Sequence, residues 1–142
     1  MPYCTIDDIK KLLPESVIIN LSNDSAGATS VNTTNLAECI DQADREIDSY
    51  VSLAGHTVPL NPVPPLAANL SAKMAIWNLH LRKYFSNEMW KDEYNRCVKI
   101  LERIAEGKMV LLPTTIPETA STASYSTETR TQKFTKRTWR HF

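Results

Sequence analysis

A chain of 142 residues with 16 basic and 16 acidic side chains has the length of one domain and no net charge, which gives no reason to expect a dedicated nucleic-acid binder. The balance is uneven: residues 1–110 hold 11 basic and 14 acidic side chains, and residues 111–142 hold 5 and 2, so a body of −3 carries a tail of +3. Three glycines cannot build a glycine-rich phosphate loop, and three cysteines (Cys4, Cys39, Cys97) without Cys-x-x-Cys spacing suggest neither zinc nor redox chemistry but free thiols of a reducing compartment.

Thr5 and Asp8 form a capping-box-like start, Ile6, Ile9, Leu12 and Leu13 make an apolar face, and Pro14 closes this short helix. Pro14 is also placed to open a second short turn carrying Val17, Ile18, Ile19 and Leu21. Residues 22–34 are rich in Ser, Asn, Asp, Gly and Thr and read as an extended loop, a place for mobility or a neighbour's surface. The spacing of Leu36, Ile40, Ala43, Ile47, Tyr50 and Ala54 predicts an amphipathic helix over 35–54, with Asn35 and Glu38 as N-cap and capping box and Gly55 as its stop.

Asp41, Asp44 and Asp48 make an acidic line on that helix, at spacings of three and four. It reads as a solvated face, a divalent-cation site or an acidic lining facing passing DNA. Metal sites on helices draw ligands from more than one element, and nothing in the sequence supplies the others. Four prolines in the elbow over 56–65 remove amide donors and hold the backbone extended as a stiff strut.

After Pro65 a second stripe begins, Leu66, Leu70, Met74, Trp77, Leu81 and Tyr84, with His80 beside it as an ordinary interfacial histidine. Asn87 or Ser86 caps the next helix, over 88–106, whose stripe is Trp90, Tyr94, Cys97, Leu101 and Ile104 and whose stop is Gly107. Three long stripes and a short one predict a mostly α fold, a small helical bundle over 1–113. Residues 108–112 form a brief apolar run suited to an edge strand or an extended docking segment.

Residues 114–142 are a Ser/Thr-rich C-terminal arm, too polar to offset its own ordering entropy and hence flexible when alone in solution. Its end interleaves cations and aromatics: Arg130, Lys133, Phe134, Lys136, Arg137, Trp139, Arg140 and Phe142. Such an end can stack on single-stranded nucleic acid, can be inert, or can fold on a partner with aromatics as anchors and cations against an acidic neighbour. The third reading is favoured, because the second leaves Trp139 and Phe142 exposed without use.

Several stretches taken together carry a resemblance. Tyr3-Cys4-Thr5-Ile6-Asp7-Asp8-Ile9, Ala43-Asp44-Arg45-Glu46-Ile47-Asp48-Ser49-Tyr50, Pro59-Leu60, Pro62-Val63-Pro64-Pro65-Leu66 and the basic-aromatic end resemble the small head-completion proteins of Mu-like tailed bacteriophages. The resemblance implies a structural virion protein, made in the host bacterial cytoplasm. It would be one subunit of a homo-oligomeric ring, usually twelvefold, between the portal protein and the tail or tail-terminator and neck proteins. It also implies no catalytic residues and no cofactor, with DNA only as passing cargo. Asp41, Asp44 and Asp48 are then the candidate channel lining and the arm residues the candidate partner-binding set.

The alternative is a nucleic-acid-binding adaptor acting through the tail. An enzyme needs a convergent set of titratable groups, and the sequence offers no His-Glu metal pair and no Ser or Cys beside a base. No window approaches eighteen uninterrupted apolar residues, so no membrane partner is expected.

Overall fold

The computed structural model describes residues 1–84 and 87–111. Five helices lie among them: α1 Ile6–Leu12, α2 Glu15–Ser22, α3 Thr33–Leu53, α4 Pro65–Arg82 and α5 Glu88–Ala105. This is the expected helical bundle, with no strand among the described residues.

Local chemistry sets most helix ends. The Thr5 side chain accepts from the Asp8 N–H while the Asp8 carboxylate accepts from the Thr5 N–H, the reciprocal pair expected at α1. Asn87 caps α5, its Oδ1 accepting from the N–H groups of Met89 and Trp90. Gly55 and Gly107 hold φ of 82° and 70°, and each follows its helix in a left-handed stop. The His56 N–H returns to the Val51 carbonyl and the Lys108 N–H to the Arg103 carbonyl.

The N-cap of α3 differs from expectation. It is Asn32, whose Oδ1 takes the Asn35 N–H at 3.2 Å, and Asn35 itself donates from Nδ2 to the Ser22 carbonyl at 2.8 Å. Asn35 is thus drawn into the connection from α2, where its amide meets a buried carbonyl that needs a donor. That connection is tied down rather than loose. Ser22, fully buried, accepts the Asn32 N–H at its Oγ, Asn23 donates to the Ser30 carbonyl at 2.7 Å, and Arg82 reaches from α4 to the Ser22 carbonyl and to Asp24.

The helix α4 is the axis of the fold. Ser71 Oγ meets Asp44 and Asn78 Nδ2 meets the Cys39 carbonyl, so α3 runs antiparallel to α4. Lys73 meets Glu93 and the rings of His80 and Trp90 stack with centroids 6.4 Å apart, so α5 is antiparallel to it as well. Helices α1 and α2 also pack on α4. Neighbours on several sides bury Ala67, Leu70, Ser71, Ala72, Met74, Ala75, Ile76, Leu79 and His80. The single stripe expected for this helix is therefore corrected: Leu81 and Tyr84 are exposed, while Ala67, Ala75, Ile76 and Leu79, outside the stripe, are buried. A helix packed against neighbours on several sides shows no single amphipathic stripe to read.

By contrast α5 lies on the outside, and Trp90, Cys97, Leu101 and Ile104 are buried as its stripe required. Each fully buried Ile, Leu or Met contributes about 1.5–3 kcal/mol of apolar transfer. Residues 108–111 form no strand; Leu111 is tucked into the core, while Met109 and Val110 face solvent. In the elbow over 56–65 Leu60 is buried, and the bonds before Pro59 and Pro62 are cis.

Candidate functional site

The acidic line on α3 divides by environment. Asp41 is solvent-facing and holds Arg45 one turn on at 2.7 Å. Asp44 is only 8 % exposed, its carboxylate accepting from the Tyr3 N–H at 2.9 Å and from Ser71 Oγ at 2.5 Å. Asp48 is half-buried and accepts the Tyr3 hydroxyl proton. The expectation of one solvated or channel-facing line is corrected for Asp44, which the fold takes inside as an anchor for the N-terminal segment and α4. Burial pushes its carboxyl above the usual carboxylate range, with the bonds from Ser71 and Tyr3 opposing the shift in part.

Tyr3 is the residue that Asp44 and Asp48 hold. Its backbone meets Asp44, its hydroxyl donates to Asp48, and the same oxygen accepts the buried Leu60 N–H of the elbow at 2.8 Å. One side chain thereby joins the chain start, α3 and the elbow. Burial, then the Asp48 bond, pushes the phenol up to about 12. Beside this staple opens a cleft of about 710 Å³, lined in part by Pro2, Ile6, Ile40 and Pro59 with Asp7, Asp41 and Asp48. Its size lies in the range of binding clefts.

A second cleft, of about 640 Å³, lies where α2 faces the start of α5, lined by Ser16, Asn20, His80 and Asn87 among others. Neither ring nitrogen of His80 has a hydrogen-bond partner among the described residues. Burial pushes its pKa below the usual range, so the imidazole is neutral at pH 7. The three thiols are buried and unpaired; burial pushes those of Cys4 and Cys97 up to about 11. Among the described residues no cluster of three or more His, Cys, Asp or Glu side chains is placed to hold a metal ion, and no helix is long and apolar enough to cross a membrane.

The arm residues Arg130, Lys133, Phe134, Lys136, Arg137, Trp139, Arg140 and Phe142 lie outside the described residues. On the body the structure changes the reading of Tyr84, expected as the last member of the α4 stripe. It ends α4 at φ 56°, the left-handed position usually given to glycine, and its ring is 97 % exposed. The missing glycine after α4 was the available signal. Leu81 and Met89 are exposed at the same corner. At the opposite end, where α3 and α5 finish together, Leu53 and Val110 are exposed.

Fold and surface together define a small helical-bundle protein with clefts beside Tyr3 and His80 and apolar side chains displayed at both ends. Residues 3–130 match the family model described as bacteriophage Mu, Gp36. The chain belongs to that family and is a Mu-like phage protein. Comparison with individually curated proteins gives no match.

Proposed function

We propose that the protein is a structural component of the virion. Copies associate side by side into a twelvefold ring at the phage neck, between the portal protein and the tail or tail-terminator and neck proteins, with a central channel for DNA. The observation that carries this reading is the pair of unlike apolar ends, above all Tyr84, an aromatic ring fully displayed on a backbone conformation that disfavours any side chain. Two different surfaces that fit each other make a head-to-tail contact, and such contacts close into a ring when the rotation per subunit divides a full turn.

Membership of a Mu phage family supports the virion setting. Asp41, the solvent-facing member of the acidic line, is the residue suited to a channel wall that must not grip phosphate. The basic-aromatic arm supplies the anchor to the adjoining ring. No catalysis, cofactor or membrane enters the proposal.

Native mass measurement of the purified chain, alone and with a portal ring, tests it. A monomer that assembles on the portal with a defined copy number supports the neck role. Failure to load on the portal, or absence of the protein from the capsid–tail junction in images of the particle, overturns it. A DNA mobility shift at moderate salt that disappears on deletion of the residues after Arg130 would favour the adaptor alternative.

A further inference from the structure

The −3 body and +3 tail of the sequence have a structural counterpart in the cleft beside Tyr3. Asp7, Asp41 and Asp48 line it together with apolar Ile40 and Pro59; of the cations at its rim, Arg45 is already paired with Asp41 and the other is the α-amino group of Met1, so carboxylates still outnumber cations. Residues 130–142 carry five Lys and Arg side chains, no Asp or Glu, and three aromatic rings. A cleft that is both apolar and acidic takes a segment that is both aromatic and basic.

The path of the chain brings the two together. Because α5 is antiparallel to α4, the chain leaves α5 beside the start of α4, the end at which the elbow places Pro59. Between Leu111 and Lys133 lie the 21 residues 112–132. Coil of that length has a root-mean-square reach of roughly 25 Å. A body of this size is roughly 34 Å across. The linker's reach covers most of that width, so a cleft on the same body meets the segment at an effective concentration on the order of millimolar. At micromolar protein, pairing within one chain outcompetes pairing between chains.

We propose that in the free subunit the cleft lined by Asp7, Asp41 and Asp48 is occupied by residues 133–142 of the same chain. The aromatic rings of that segment, Trp139 among them, suit the apolar wall of Ile40 and Pro59, and its cations suit the carboxylates. The arm that serves as an anchor in the virion is thus held on its own body until a partner displaces it. This docking concerns the free subunit and stands independently of whether a ring forms.

The test is carbodiimide coupling, which joins a lysine amine directly to a carboxylate, on an equal mixture of ¹⁴N and ¹⁵N full-length chains at micromolar concentration and low salt. Peptide mass mapping then reads the links. The expected result is links from Lys133 or Lys136 to Asp7, Asp41 or Asp48 within chains of one isotope. Their yield falls at least fivefold in Trp139→Ala and likewise at 0.5 M NaCl, where screening reaches contact distance.

Mixed-isotope links, links spread over acidic residues of other faces, or no links from either lysine overturn the proposal. So does a Trp139 indole resonance unchanged between the full chain and a free peptide of residues 130–142. A portal-bound ring from a chain without these links would refute the docking and leave the neck role standing; links in a chain that never loads on the portal would do the reverse.

Discussion

Replacing Tyr3 by Phe removes one oxygen and keeps the ring, its burial and the backbone bond to Asp44. Two interactions go with that oxygen. The Leu60 N–H, buried in the elbow and bonded to the hydroxyl at 2.8 Å, is left without an acceptor, a loss of about 1–3 kcal/mol. The bond to Asp48 is also lost; because this carboxylate is half-buried and can turn toward water, about 1 kcal/mol is assigned to it. The sum is about 2–4 kcal/mol, a large share of the roughly 5–15 kcal/mol that holds a domain folded. For a body of this size it lowers Tm by on the order of 10–20 °C.

Urea denaturation followed by circular dichroism, on Tyr3→Phe, Asp48→Asn and the double variant, separates the two contributions. At least half of the Tyr3→Phe effect should survive in the Asp48→Asn background, since the Leu60 N–H is orphaned in both. A change below 0.5 kcal/mol for Tyr3→Phe, or its disappearance in the Asp48→Asn background, refutes the staple. Since the folded chain holds the phenol proton more tightly than the unfolded one, the hydroxyl's contribution is present below the ordinary value of 10 and is lost as pH rises through about 12. The gap between Tyr3→Phe and the unaltered protein should close over that window.

Asp44→Asn keeps an acceptor for Tyr3 and a partner for Ser71 while removing a buried charge. Asp44 binds its proton more tightly folded than unfolded, so the unaltered protein loses stability as pH rises from the ordinary value of 3.8 through the raised folded one. Asp44→Asn should therefore gain relative to it between pH 3.5 and pH 7 in urea midpoints; a relative loss over that interval contradicts the assignment. Lys73 and Glu93 form a pair with side chains 28 % and 23 % exposed, and the Lys73 bond holds Glu93 below the usual carboxylate range. Glu93→Gln should cost about 1–2 kcal/mol at pH 7, between the values for exposed and buried pairs. That cost should fade as pH falls from 4.5 through the lower folded value of Glu93, below which the pair is lost in the unaltered protein too; a pH-independent cost in chemical denaturation would show that the pair is not its source. At Tyr84, glycine relieves a left-handed conformation worth ~1–2 kcal/mol against ~0.5–1 kcal/mol of added chain entropy. Tyr84→Gly should thus leave the subunit as stable or ~0.5 kcal/mol more so in thermal denaturation while weakening assembly on the portal. A loss of more than 1 kcal/mol would show that the ring is structural after all.

The amino-acid sequence alone determined the helical class, the capping box at Thr5 and Asp8, the stops at Gly55 and Gly107, and the buried face of α5. All of these are set by interactions within a few residues or by a period of 3.6 against a single packing surface. It also carried the family resemblance, which rests on the order of short stretches. Only the tertiary structure decided which helix is central. Enclosure of α4 on several sides abolishes the one-sided pattern that sequence reading depends on, so Ile76 and Leu79 are buried while Leu81 and Tyr84 are left in water. The fate of the acidic line was likewise decided across the fold. Asp41, Asp44 and Asp48 share one helical face, yet Tyr3, 41 residues before Asp44, and Ser71, 27 after it, turn one of the three into an interior anchor. No local signal reports a partner so far along the chain, because the energy of a buried carboxylate depends on what surrounds it in space.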